Sequence, residues 1–212
     1  MNKKIGYSLF IGLIILVQSC TKSGNDNPDS GNQIVVDPRK ALTGTFLDFY
    51  GKENWTQQEW DIHFKEMKEI GFKTVIVQFA AYNDISYFNS ANTFTTTKYP
   101  DALSLVLKAA ENKEMSVYIG LYFNSDYWDN QTNTDWLKLH ADRCISVAKE
   151  INEQFGNESS FAGWYIPHEP EPYAYNSSEL VASFRDNLVN KISDKLHTLN
   201  SKRGLKFSMK PA

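Results

Sequence analysis

The chain has 212 residues, 42% of them hydrophobic and 14% aromatic, and a formal net charge of -3. That apolar content can supply a packed core and excludes a chain that is disordered throughout. The charges are spread along the sequence without a basic cluster, so nothing would neutralise a phosphate backbone and no nucleic-acid partner is expected.

The chain begins with a basic head, Asn2-Lys3-Lys4, followed by an apolar run from Ile5 to Val17 that is too short to span a bilayer comfortably. Val17-Gln18-Ser19-Cys20 follows at once. The arrangement resembles a bacterial lipoprotein signal, with Gln18 a departure from the strictest form of that motif. The resemblance implies a signal peptide over 1–19, lipidation of Cys20, and a cell-envelope location anchored in a membrane, periplasmic or at the outer-membrane surface. Thr21 to Gln33, TKSGNDNPDSGNQ, lacks large apolar residues and reads as a tether, so 20–40 is assigned to the lipidated cysteine and a flexible linker. The remaining cysteine, Cys144, has the spacing of a helix core position, and no intrachain disulfide is expected in the mature chain.

From Ala41 onward, short apolar runs alternate with longer helical patterns. The runs are ALTGTFLDFY (41–50), KTVIVQFA (73–80), MSVYIGLYF (115–123), FAGWYIPHE (161–169) and GLKFSMK (204–210). After the first run, Thr56-Gln57-Gln58-Glu59 fits a capping box, Trp60, Phe64, Met67 and Ile70 share one helix face, and Gly71 can close the helix in the left-handed conformation. A later helix carries Leu137, Ala141, Cys144, Ala148, Ile151 and Phe155 before Gly156; the last repeats the pattern with Val181, Phe184, Leu188, Ile192 and Leu199. Crossovers of this length imply parallel pairing, so the class is α/β. No G-x-G-x-x-G or P-loop follows any strand, which favours a (β/α) barrel of TIM type over an open nucleotide-binding sheet.

Alternation along each strand separates two faces. One carries Leu47, Phe49, Val75, Val77, Val117, Ile119, Leu121, Trp164, Ile166, Leu205 and Phe207, and is expected to meet the helices. The other becomes polar toward the C-terminal end of each strand, and in a barrel those ends form the active-site face. That face includes Tyr50 and Tyr122, and Asp48, Gln78, Asn124 and Glu169 are expected to converge on one mouth. Long loops leaving the same ends carry Tyr82, Tyr87, Phe88, Phe94, Tyr127, Trp128, Tyr173 and Tyr175, a set of rings suited to the apolar faces of sugars, although any one ring can equally serve to pack its loop. About 250 residues is typical of a complete eightfold barrel. Roughly 175 remain here after signal and tether, so 41–212 reads as an incomplete barrel of about five parallel strands and four helices, with the C-terminal strands missing. Its exposed strand edges raise the prospect of a complementing C-terminal fragment or of self-association.

The stretches GTFLDFYGKENWTQQEW, FKTVIVQFA and GWYIPHEPEP, in that order, resemble the glycoside-hydrolase-like TIM-barrel lipoproteins catalogued as domain of unknown function family 4434, over about Ala41 to the C-terminus. More broadly, Glu169-Pro170 at the tip of a fourth strand is similar to the acid/base position of the large clan of retaining glycosidases. That resemblance implies Glu169 as general acid/base. Strand-end and loop positions make Asp48, Tyr50, Gln78, Tyr122, Asn124, Trp128, His168 and Tyr173 the candidate sugar contacts, although the outward parity of His168 favours packing or support behind Glu169. The clan has asparagine where this chain has His168, so the 2-hydroxyl contact of that asparagine does not carry over. The clan's nucleophile lies on a seventh strand, which this chain does not contain, and the family carries no assigned substrate. Non-catalytic carbohydrate binding, or an inactive fragment of a longer barrel enzyme, is the alternative. His63, His140 and His197 lie in helical patterns without HExxH or a Cys/His set, so no metal and no cofactor are expected, and G-x-S-x-G is absent.

Overall fold

The structure, a computed structural model, describes residues 42–207. The signal peptide, Cys20, the tether, and the strand positions Ser208, Met209 and Lys210 lie outside the described residues. In chain order the elements are β1 (Gly44–Leu47), α1 (Gln57–Glu69), β2 (Thr74–Val77), β3 (Ala81–Tyr82), β4 (Ile85–Ser86), β5 (Thr96–Thr97), α2 (Ala102–Asn112), β6 (Ser116–Gly120), β7 (Tyr122–Phe123), α3 (Tyr127–Asn130) and α4 (Thr134–Phe155). There follow β8 (Phe161–Ile166), α5 (Ser178–Phe184), a π-helical segment (Arg185–Asn190), α6 (Lys191–Leu199) and β9 (Gly204–Phe207). Among the described residues no helix is long and apolar enough to cross a membrane.

Five strands form the main sheet in the order β1-β2-β6-β8-β9, every pair parallel. Strands that pair strictly in chain order wind as a barrel does; a doubly wound sheet reverses its order at a switch point. The sheet is open but strongly curled. The Phe46 ring on β1 meets the Tyr165 ring on β8 edge-on at a centroid distance of 5.3 Å, although two strands lie between them. Three strand spacings in a flat sheet would separate these positions by about 14 Å.

Parity assigns most of the two faces as the sequence implies. Leu47, Val75, Val77, Val117, Ile119, Trp164 and Ile166 are buried in the core, whereas Phe46 is 51% exposed and Lys206 is exposed on the concave side. Leu205 is an exception at 40% exposed, as it lies in the edge strand β9. Two inward glycines let the backbones approach. A Cβ on Gly120 would lie 2.0 Å from the carbonyl oxygen of Gln78, and one on Gly163 would lie 2.2 Å from that of Gly204.

The helices obey their local signals. Thr56 and Glu59 form both halves of the capping box on α1, and Gly71 takes a φ of 98° just past its end. Trp60, Phe64 and Met67 are buried, but Ile70, read as part of that face, is the C-cap and is exposed. In the last helix the buried positions are Phe184, Leu188, Ile192 and Leu196, while Val181 is exposed and Leu199 only half-buried. A spacing of four throughout is longer than the α repeat, and the π-helical segment winds slowly enough to hold these residues on one side.

A feature not foreseen is a second sheet, β5-β4-β3-β7, built from the long loop after β2 and from the end of the third apolar run. It corrects the placement of Tyr122. The run does not continue as one strand, because β6 ends at Gly120 and β7 pairs with β3 instead. Tyr122 therefore turns to the helix side, with its ring 5.1 Å from that of His140 on α4.

Gly120→Ala is expected to cost more than about 3 kcal/mol, because a backbone carbonyl stands in the way. Thr56→Ala is expected to cost about 1 kcal/mol, as a lost cap. Urea unfolding of both variants checks the pair, and a Gly120→Ala cost no greater than that of Thr56→Ala would contradict the close-approach argument.

Candidate functional site

The strand β8 runs apolar to Ile166 and then ends in Pro167-His168-Glu169-Pro170-Glu171-Pro172. Proline fixes φ and donates no backbone hydrogen bond, so the chain must leave the sheet here in a stiff, defined direction. Pro167 and His168 are buried, and Glu169 is the first half-exposed residue of the run. Its main chain is held from across the site: the Tyr127 hydroxyl on α3 donates to the Glu169 carbonyl at 3.2 Å. The Tyr127 and Tyr175 hydroxyls lie 3.4 Å apart, and Tyr175 donates to the Gln131 carbonyl at 2.6 Å. Two loops are thus joined through phenols. Burial pushes the Tyr127 pKa far up, helped by Tyr175 and by the carboxylates of Glu171 and Glu169. Burial raises Tyr175 to about 12. Both phenols keep their protons at neutral pH. Glu171 is thus within electrostatic reach of the phenol that holds Glu169.

The aromatic loop residues divide into two kinds. Phe88 and Tyr127 are wholly buried; Tyr87 stacks on Phe49 at 4.5 Å, and Trp55 packs on Trp60 at 4.8 Å. These rings fasten loops to the core. Tyr50, Trp128 and Tyr173 remain exposed at 86%, 44% and 92%. Trp128 continues a group of rings in which Phe123 touches Phe79, Tyr82, Tyr127 and His168. Trp128, His168 and Glu169 therefore belong to one neighbourhood.

Tyr122 and Asn124 belong to another. They line a polar cavity of about 560 Å³ with Asn83, Asp84, Phe94, Asp126 and Arg143. The Asn124 amide donates to the Tyr122 hydroxyl at 3.2 Å, and its carbonyl oxygen accepts from the Asp126 backbone at 2.7 Å. Asp48 forms a local turn on the first strand, accepting from the Tyr50 backbone at 2.9 Å with Lys52 at 3.8 Å. Gln78 is half-buried, and its carbonyl is the group that Gly120 makes room for.

His168 was named among the sugar contacts although its outward parity favours packing; the structure seals its ring in the core, 4.7 Å from that of His140. This pairing also corrects the expectation that no Cys/His set exists. His140, Cys144 and His168 bring their ligating atoms within 4.8 Å of one another, all buried. The i, i+4 spacing of His140 and Cys144 was readable as one helix face, but nothing local in the sequence brings His168 to it.

Residues 42–208 match the family described as domain of unknown function (DUF4434). Among solved structures, a candidate alpha-L-fucosidase from Bacteroides thetaiotaomicron VPI-5482 is similar at a TM-score of 0.65 and 26% identity, over 80% of this chain and 51% of that one. The endo-1,4-beta-mannanase from Rhizomucor miehei is similar at 0.52 and 15% identity, over 78% and 55%. A beta-galactosidase from Marinomonas ef1 is similar at 0.50 and 11% identity, over 78% and 37%. The chain spans about half the length of the first two, and the last two likenesses concern the fold alone. The fold is glycoside-hydrolase-like. No curated protein matches the chain.

Tyr127→Phe and Tyr175→Phe are each expected to cost about 1 kcal/mol, with a coupling of at least about 0.5 kcal/mol in the double variant. Additive costs would show that the two phenols do not work together. Because the pKa of Tyr175 is raised from 10.0 to about 12 in the fold, the unfolded chain releases its proton first. The stability from Tyr175 is present in full below pH 10 and lost as pH rises through about 12. Alkaline denaturation should therefore fall less steeply in that window in Tyr175→Phe than in the parent.

Proposed function

The chain belongs to the DUF4434 family, and from that premise we propose that it is a carbohydrate-active, glycoside-hydrolase-like protein of the cell envelope whose general acid/base is Glu169. The observation that carries this reading is the position of Glu169. It stands at the C-terminal tip of the fourth strand of a sequentially wound parallel sheet, where a barrel builds its chemistry, and its backbone is tied down by Tyr127. Cleaving a glycosidic bond requires one carboxylic acid to protonate the leaving oxygen and a second carboxylate about 5 to 5.5 Å away for retention of configuration, or farther for inversion.

Trp128 and Tyr173 are the rings offered to a sugar face, since both are exposed on loops flanking Glu169. Asp48, Tyr50 and Gln78 supply polar contacts from the first two strands, and Tyr122 with Asn124 extends the site toward the polar cavity. His168 supports Glu169 from behind. The second carboxylate comes from the complementary half of the barrel, a reading supported by the span of about half of the 26%-identical structure. An apolar groove lined by Pro170, Pro172, Tyr175, Phe184 and Phe207 lies beside β9, the edge at which further strands would join. The described name of that similar structure makes α-L-fucosides the first substrates to try. Attachment through a lipid on Cys20 rests on the sequence pattern of residues 2–20. Non-catalytic sugar binding is the second reading, favoured by the same half-length span.

Hydrolysis of an aryl α-L-fucoside and calorimetric binding of free sugars, measured for the parent chain and Glu169→Gln, test the assignment. The variant is expected to bind within about twofold of the parent and to lose at least about 100-fold in turnover. Binding without turnover in the parent would favour the non-catalytic reading, and equal turnover in both proteins would remove Glu169 from the acid/base role.

A further inference from the structure

Of His140, Cys144 and His168, only His168 enters the carbohydrate reading, as support behind Glu169, and the cluster as a whole calls for its own account. His140 and Cys144 stand one turn apart on α4, and His168 follows the end of β8, so the trio joins the helix layer to the strand layer. Neither ring nitrogen of His168 makes a hydrogen bond, the Tyr122 backbone is the one polar group close to the His140 ring and falls short of good hydrogen-bond geometry, and all four nitrogens are shut off from solvent. A neutral imidazole carries one donor and one acceptor, and buried polar groups without partners are rare because desolvation is not repaid. The Cys144 thiol has only the Tyr122 carbonyl, at 3.2 Å. Around these groups stand rings: Trp136 stacked on His140 at 4.5 Å, Phe123 at 5.4 Å and Tyr127 at 5.1 Å from His168. Burial, and after it the nearby Arg143, disfavour a positive charge on His140, and among the described residues no carboxylate belongs to the cluster.

We propose that His140, Cys144 and His168 form a binding site for a single Cu⁺ ion. Two imidazoles and a thiolate are soft or borderline donors, which select Cu⁺ or Zn²⁺ over hard cations. Charge decides between those two. One thiolate and one Cu⁺ sum to zero, whereas Zn²⁺ would leave a net positive charge in an apolar interior beside Arg143. Binding breaks the S–H bond of Cys144 and releases that proton to solvent. It forms one Cu–S and two Cu–N bonds and transfers no electron. Bonds of about 2.0 to 2.3 Å to three donors in a plane set the donors roughly 3.5 to 3.9 Å apart. The present spread, up to 4.8 Å, then closes by rotation of the side chains. Tyr122 lies against His140 and also lines the polar cavity, so the ion would enter from that cavity by displacement of the Tyr122 ring. The ion would pin His168, and with it the main chain that leads into Glu169.

The test uses the full chain with Cys20→Ser, so that Cys144 is the one thiol of the two in the sequence. The protein is reduced, stripped with chelator and titrated with Cu⁺ against a colorimetric Cu⁺ chelator, with Zn²⁺ in parallel. One equivalent of Cu⁺ is expected, with a rise in thermal midpoint of roughly 5 to 10 °C at saturating ion. Both effects should vanish in Cys144→Ala. Since that variant can fail to fold, alkylation of Cys144 in mild urea provides a readout on the intact site, and Cu⁺ should slow it at least tenfold. Retention of Zn²⁺ but not Cu⁺, an unchanged midpoint, an unprotected thiol, or equal Cu⁺ binding by folded Cys144→Ala would each overturn the proposal.

Discussion

Parallel pairing in chain order constrains everything else in this molecule. A strand that pairs in parallel with its predecessor needs a crossover, and the crossovers here cover the face bearing Leu47, Val75, Val77, Val117, Ile119, Trp164 and Ile166. The opposite face must then curve inward, and it does so until Phe46 and Tyr165 touch across the intervening strands. Gly120 and Gly163 permit that curvature because their neighbours' carbonyls occupy the space of a side chain. The same winding leaves the C-terminal strand ends pointing one way, and the loops that leave those ends therefore gather together.

Those loops are not left to fluctuate. Phe88, Tyr87 and Trp55 anchor them in the core, and the hydroxyls of Tyr127 and Tyr175 join the loop after β7 to the loop after β8. Their protons are secured by burial, so the link is a neutral one that persists across the ordinary pH range. A carboxylate on a stiff prolyl exit, held by its own carbonyl, can keep a fixed direction toward a bound ligand. Such a group has the positional control that proton transfer demands.

Much of this organisation was legible in the residues. Strand alternation found the helix-facing side and put Glu169 at the end of the fourth strand, and the Thr56–Glu59 box marked the start of α1. Tyr122 was misplaced because period-two reasoning assumes one continuous strand, and the switch of β7 to pair with β3 depends on a loop some forty residues away. The sharing of one neighbourhood by His168 and Cys144 was equally hidden. Each looked like an ordinary core position, and only the packing of α4 against the end of β8 brings them together. Ile70 failed because it sits at a helix end, where the apolar stripe has already left the core, and Val181 because it lines the open apolar groove beside β9.

The central claim is that the C-terminal ends of these strands form a sugar-binding face around Glu169. Amide and indole chemical shifts recorded by NMR during titration of the full chain with L-fucose and simple fucosides test it most directly. The account predicts saturable shifts that concentrate at Trp128, at residues 169–175 and at residues 48–50. Shifts confined to the outer helices, or none at millimolar sugar, would contradict it.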